Sequence, residues 1–155
     1  MKKFLHILQE NKVPLALVSG SSPDIIEEIL SVTRLSTFFD AVVSSENVKK
    51  GKPEPDVFLE AARQLAIRPE QCLVVEDSPY GVEAAKRAGM YCVAIPYLAE
   101  EPLPDGFQKA DYLVKEGMRC FSAEKTFAWL RQIAILHEKS KGTPLEQGSS
   151  FNTFS

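Results

Sequence analysis

Cysteine, charge of one sign and long apolar runs are all scarce in this sequence, and each scarcity removes a class of function. Only Cys72, Cys92 and Cys120 occur in 155 residues, widely spaced and without partners at metal-ligand spacing. A disulfide scaffold or a cysteine-held metal is therefore excluded as the organising device, and the three read as buried or stray thiols of a reducing compartment. The formal net charge is −3 with acids and bases interspersed, which leaves no footprint for nucleic acid or for an anionic membrane surface. No apolar run approaches membrane-spanning length, and the N-terminus has neither a signal-peptide core nor a transit-peptide composition. The cytoplasm is the default address, with an organellar one left open if the N-terminus is cropped. Internal repeats are absent too. What remains is small-molecule chemistry in a chain that is 45% hydrophobic, enough for one domain with a real core.

The stretch around which the rest is organised runs from Cys72 to Gly81, where a short apolar run breaks at the adjacent carboxylates Glu76 and Asp77. Ser78 fits a helix N-cap and Pro79 the first helical position, so the acids sit where a buried strand hands over to a helix. Ligands bind at such strand ends in open α/β sheets. Two adjacent acids there repel one another and call for a cation, Mg2+ first. The alternative is that Asp77 merely caps the helix and Glu76 is solvated.

Before this stretch, Met1 to Asn11 places Phe4, Leu5, Ile7 and Leu8 on one helical face, and His6 reads as a surface histidine. Leu15 to Val18 suits a strand buried on both faces, ending in Ser19 and Gly20, whose hydroxyl and amides lie beside a helix N-terminus, a ready place for an anion. In that helix Ser22 is the cap, Pro23 the first residue, and Ile25, Ile26, Ile29 and Leu30 the expected buried stripe. A second strand covers Ala41 to Ser44. Lys52 follows in a loop stiffened by Pro53 and Pro55, on a defined backbone, although it also reads as an ordinary solvated charge. The next helix, about Pro55 to Ala66, is expected to bury Phe58, Leu59, Ala62 and Leu65.

Gly81, in the first turn of the helix from Pro79 to Ala88, costs helix propensity and so reads as permitting a close approach. Gly89 ends that helix, and Tyr91 to Ile95 is a fourth strand. Tyr112 to Val114 reads as a short extra strand, Ala123 to about His137 as an amphipathic helix, and residues 139–155 as a disordered tail after a core spanning 1–138. The alternation of helix and strand argues for a doubly wound parallel sheet with helices on both faces. Ser19 with Gly20, Lys52, and Glu76 with Asp77 then gather at its carboxyl edge.

In these three clusters the sequence resembles the haloacid dehalogenase (HAD) superfamily, in its β-phosphoglucomutase and phosphatase branch with a Rossmann-like core, from about Phe4 to Tyr97. Leu17-Val18-Ser19-Gly20-Ser21 is similar to the second family motif, which implies that Ser19 binds the transferring phosphoryl group. The segment from Gly51 to Phe58 is similar to the third, which implies that Lys52 neutralises nucleophile and phosphate. Val75 to Gly81 is similar to the fourth, which implies Mg2+ held directly by Asp77, with Glu76 a further ligand or the partner behind it.

The departure from the family matters as much. Members begin with a strand ending in Asp-x-Asp, the first aspartate attacking phosphorus, and no Asp-x-Asp occurs in these 155 residues. The cap between that strand and the Ser19 motif is missing too, so the chain resembles the C-terminal part of such an enzyme. Losing a nucleophile costs about 10^6 in rate in another covalent-catalysis enzyme, so the site is expected to bind and not to react. The resemblance places the absent central strand between the Val18 and Val75 strands. The two are then expected to close up, to leave a flooded gap, or to accept a strand from another chain. The leading reading is thus a partial core of a Mg2+-dependent phosphatase or phosphomutase for a small phosphorylated metabolite. The alternatives are a non-catalytic phosphate-binding or protein-interaction isoform, with a strand-donating partner or self-association, and a truncated gene model.

Overall fold

Short runs rich in valine, alanine and leucine become, among the described residues, five strands of at most four residues. The structure, a computed structural model, describes residues 1–97 and 102–140. It divides into two compact units, one built from both ends of the chain (Met1–Pro14 and the segment from Ser122), the other from Leu15–Phe121.

In the first unit, α1 (Lys2–Glu10) buries Phe4, Leu5 and Leu8 and packs with α5 (Ala123–Ser140). Lys3 pairs with Glu124, whose carboxyl it holds below its ordinary value. The expected tail lies outside the described residues beyond Ser140.

In the second unit the order is β1 (Ala16–Ser19), α2 (Pro23–Thr33), β2 (Ala41–Ser44), α3 (Asp56–Leu65), β3 (Leu73–Glu76), α4 (Pro79–Arg87), β4 (Tyr91–Ala94) and β5 (Tyr112–Leu113). Every pairing is parallel, as in a doubly wound sheet. β1 pairs with β2 from Ala16↔Ala41 to Ser19↔Ser44, β3 with β4 from Leu73↔Tyr91 to Glu76↔Ala94, and β4 with β5 at Val93↔Tyr112. The strands nevertheless form two separate sheets, β1-β2 and β3-β4-β5.

The faces can be read from packing. Val43 lies in one apolar cluster with Val57 and Phe58 of α3, Val74 of β3 and Val82 of α4, with Val18 packed against it. Val42 and Ser44, of opposite parity, line a groove with Ile26 and Leu30 of α2. α2 and α3 therefore cover opposite faces of β1-β2. Right-handed crossovers, the rule in about 98% of parallel connections, then place β2 on one side of β1 and β3 on the other. The order across the unit is β2-β1, a break, then β3-β4-β5. This agrees with the absent strand that the family resemblance implies.

Two expected stripes are corrected. Ile25 and Ile29 are 49% and 53% exposed, because α2 lies on a sheet only two strands wide and that ribbon covers little more than Ile26 and Leu30. In α3 the buried face is Val57, Phe58, Ala61 and Ala62, and Leu59 is left 40% exposed, one helical step to the side. Gly89, at φ +74, takes the left-handed position just after α4, which costs glycine nothing. Among the described residues no helix is long and apolar enough to cross a membrane.

Candidate functional site

The carboxyl ends of β1, β2 and β3 carry the polar residues singled out from the sequence. Ser19 closes β1, and its Oγ accepts a hydrogen bond from the Ser21 amide at 3.1 Å. Two further hydroxyls tie this turn to the end of β2. Ser44 Oγ donates to the Ser21 carbonyl at 2.7 Å, and Ser45 Oγ donates to the Ser19 carbonyl at 3.2 Å. Ser44 is buried, and its Oγ also accepts the Glu46 amide. The turn from Ser19 to Ser22 is thus fixed before any ligand arrives. Gly20 is exposed, and a Cβ there would meet nothing within 4 Å, so space is open above its amide. Ser22 stands at the N-cap of α2 without a side-chain capping bond, and Asp24 lies in the first turn, where it answers part of the helix dipole.

Lys52 leaves the proline-stiffened loop and pairs with Glu76 Oε1. Its ammonium also sits 4.9 Å from the centre of the Phe58 ring, a cation–π contact. The other Glu76 oxygen, Oε2, accepts from the Asp77 amide at 3.2 Å, the Ser78 amide at 3.4 Å and Ser78 Oγ at 3.3 Å. This carboxylate is buried at the end of β3, and it survives there because every side of it has a donor. Ser78 performs the capping role expected of it, its Oγ accepting the Gly81 amide at 3.0 Å. Gly81 proves to be the close-approach position: a Cβ added to it would run into the Glu76 carboxylate. Behind the pair, burial, and next the charge of Glu76, push the Cys92 thiol up to about 12, so Cys92 stays protonated and packs as an apolar residue.

Asp77 is exposed, and among the described residues nothing bonds its carboxylate. Its carbonyl accepts from the Tyr97 amide at 3.3 Å. The structure thus joins Lys52 directly to Glu76, places Asp77 next to Glu76 and sets Ser19 and Gly20 at the end of β1, in the other sheet. A groove of about 480 Å3 lined by Pro23, Ile26, Leu30, Val42, Ser44 and Asn47 shares Ser44 with this turn, while Ser19, Gly20, Lys52, Glu76 and Asp77 are not among its lining. Ser44 and Ser45 were not singled out from the sequence; the signal available was a pair of hydroxyls closing the Ala41 strand. Mg2+ is typically held by one or two carboxylates with water and phosphate oxygens. Here Asp77 fits one such position, while the Glu76 oxygens are engaged elsewhere and no group of three His, Cys, Asp or Glu suits a metal among the described residues. Among the described residues, Asp77 is thus the one carboxylate here left to serve as a Mg2+ ligand, and a complete ligand set is not assembled from them.

Comparison with known proteins supplies the context. Residues 1–95 match the family model described as haloacid dehalogenase-like hydrolase. The chain is 33% identical over 114 residues to the validoxylamine A 7'-phosphate phosphatase of Streptomyces hygroscopicus subsp. limoneus, covering 74% of this chain and 52% of that protein. It is 42% identical over 85 residues to a fructose-1-phosphate phosphatase of Escherichia coli, covering 55% and 45%. Both alignments take in about half the relative's length. Among solved structures, β-phosphoglucomutase from Clostridium difficile superposes with a TM-score of 0.72 at 23% identity, over 86% of this chain and 56% of that one. A HAD family hydrolase from Deinococcus radiodurans with bound phosphate and sodium gives 0.68 at 29% identity, over 86% and 58%.

Proposed function

From the premise that the chain belongs to the haloacid dehalogenase-like hydrolases, we propose that it forms the phosphate-holding part of a Mg2+-dependent phosphoryl-transfer core acting on a small phosphorylated metabolite. The observation that supports this reading is the Lys52–Glu76 pair at the end of β3, beside the exposed Asp77, together with the fixed Ser19 turn at the end of β1. In this reading the amides around Gly20 and the Ser19 hydroxyl receive phosphate oxygens, and Lys52 offsets their charge. Glu76 holds Lys52 in place, and Asp77 contributes one ligand to the metal. A bound Mg2+ would supply charge neutralisation on the phosphoryl oxygens. Phosphatases acting on phosphorylated small molecules stand among the relatives, which supports the substrate class.

Two measurements test it. Inorganic phosphate titrated into 15N-labelled protein is expected to shift the amides of Gly20, Ser21 and Lys52 saturably, and shifts confined to other residues refute the site. Hydrolysis of a generic aryl phosphate, with and without Mg2+, is expected to stay at the level of an Asp77→Asn control, because no Asp-x-Asp supplies a nucleophile. Turnover needing both Mg2+ and Asp77 would show that another group attacks, and would overturn the binding-only reading of these residues.

A further inference from the structure

The segment from Ser45 to Lys52 is fastened at both ends, and to different sheets. Ser45 Oγ donates to the Ser19 carbonyl at the end of β1, and Lys52 pairs with Glu76 at the end of β3. Lys52 lies seven residues after Ser45, so the chain between the two anchors reaches at most about 25 Å, and less because Ser45–Asn47 is a short 3-10 helix. Val48 packs against the apolar cluster. Lys49 and Lys50, which follow it, are exposed. The segment is thus a strap from the end of β1 to the end of β3, and two ammonium groups ride on its middle.

The charges around this strap are unevenly matched. On the strand ends and loops that lead from β1, β2 and β3 to the helices that follow, the cations are Lys49, Lys50 and Lys52. Against them stand Glu46, Glu54, Glu76 and Asp77, with Asp24 and Asp56 in the first turns of α2 and α3. Glu54 is answered by Arg87 of α4 at 2.9 Å, and Glu76 by Lys52. The charge of Lys52 is therefore shared with Glu76 before any ligand arrives. Neither Lys49 nor Lys50 has an ion pair among the described residues. A phosphate monoester brings up to about two negative charges to this edge. The amides of the Ser19 turn give it hydrogen bonds and no net charge. Lys49 and Lys50 are then the cations of these loops left to offset it.

We infer that Lys49 and Lys50 are ligand-binding residues, the cations that draw and hold the anionic group of a phosphorylated ligand beside the Ser19 turn. This rests on the phosphate-holding reading and adds to it two residues that Lys52 cannot replace. Exposed ammonium groups act on an anion through water, so their contribution is modest and is erased by salt. That salt dependence separates them from residues that merely shape the loop.

The test titrates inorganic phosphate into the 15N-labelled full chain and takes Kd from the Gly20 and Ser21 amides. Total ionic strength is held at 0.1 M or 1 M with NaCl, where charges act over about 10 Å and about 3 Å. Lys49→Gln/Lys50→Gln is compared with Arg34→Gln/Arg68→Gln, which removes the same charge from exposed positions on the segments leading into the amino ends of β2 and β3. The expected result at 0.1 M is a Kd raised about threefold or more by the lysine variant and not by the arginine variant, with all three proteins agreeing within about 1.5-fold at 1 M. The urea midpoint of the lysine variant should match the wild type. An unchanged Kd at 0.1 M, an equal loss in the arginine variant, or a loss that persists at 1 M overturns the inference while leaving the phosphate site standing. A wild type without saturable shifts at Gly20 and Ser21 refutes that site, and the inference falls with it.

Discussion

Adding one methyl group at position 81 sets helix propensity against a buried carboxylate. In an unconstrained helix, Gly→Ala stabilises by about 1 kcal/mol. Here the new Cβ would occupy the volume of the Glu76 carboxylate, which must swing away from Lys52, the Asp77 and Ser78 amides and Ser78 Oγ. A buried charge parted from its partner costs about 3–5 kcal/mol. Gly81→Ala should therefore destabilise the protein by about 2–4 kcal/mol, or roughly 5–15 °C in Tm for a chain of this size. Urea unfolding followed by circular dichroism measures it. The diagnostic comparison is a double-mutant cycle with Glu76→Ala, in which the obstructing group is gone and Gly81→Ala should become neutral or stabilising by about 1 kcal/mol. A wild-type background that tolerates Gly81→Ala, or a penalty that persists with Glu76→Ala, would refute the account of the Glu76 pocket.

Two further outcomes follow from the same region. Lys52→Met removes the donor to Glu76 Oε1 while Oε2 keeps its donors, and with Lys52 a quarter exposed the loss should be about 2–3 kcal/mol; an unchanged urea midpoint would contradict the pair's role in holding the loop. The Cys92 thiol, raised from an ordinary 9.0 to about 12, keeps its proton in the folded chain while the unfolded chain gives it up. Stability should therefore fall as pH rises above about 9, by up to about 1.4 kcal/mol per pH unit, with this contribution flat below that. Urea midpoints at pH 8 and pH 10 should show a steeper decline in the wild type than in Cys92→Ala, and equal slopes would refute it.

Elements whose signals are local were legible in the sequence. Ser78 with Pro79 marks a capped helix start, and the capping bond to Gly81 is present; the Ala41–Ser44 and Leu73–Glu76 strands follow from short apolar runs. Burial stripes were legible only where the neighbouring layer is broad. Ile25 and Ile29 have the right spacing for a core face, but spacing says nothing of how wide a sheet lies beneath. For the same reason the site's residues were easier to name than to connect. Two adjacent acids look equivalent as letters, yet Glu76 is enclosed by donors and Asp77 is exposed, because alternate residues at the end of β3 point opposite ways. The Ser44 and Ser45 bonds to the Ser19 turn span more than twenty residues and leave no local pattern.

The pairing of α1 with α5 has a consequence in time. These helices lie at opposite ends of the chain order, with α1 ending at Glu10 and α5 beginning at Ala123. At a synthesis rate of about 5–20 residues per second, the intervening stretch takes roughly 6–20 seconds to appear, whereas a helix forms in about a microsecond. The surface that α1 gives to α5 is thus complete long before its cover exists. During that interval the segment Leu15–Phe121, a compact unit of the finished chain, is being made, while Phe4, Leu5 and Leu8 lack the cover that α5 provides in the finished chain. On the ribosome, α1 is thus made early relative to α5 and finished late.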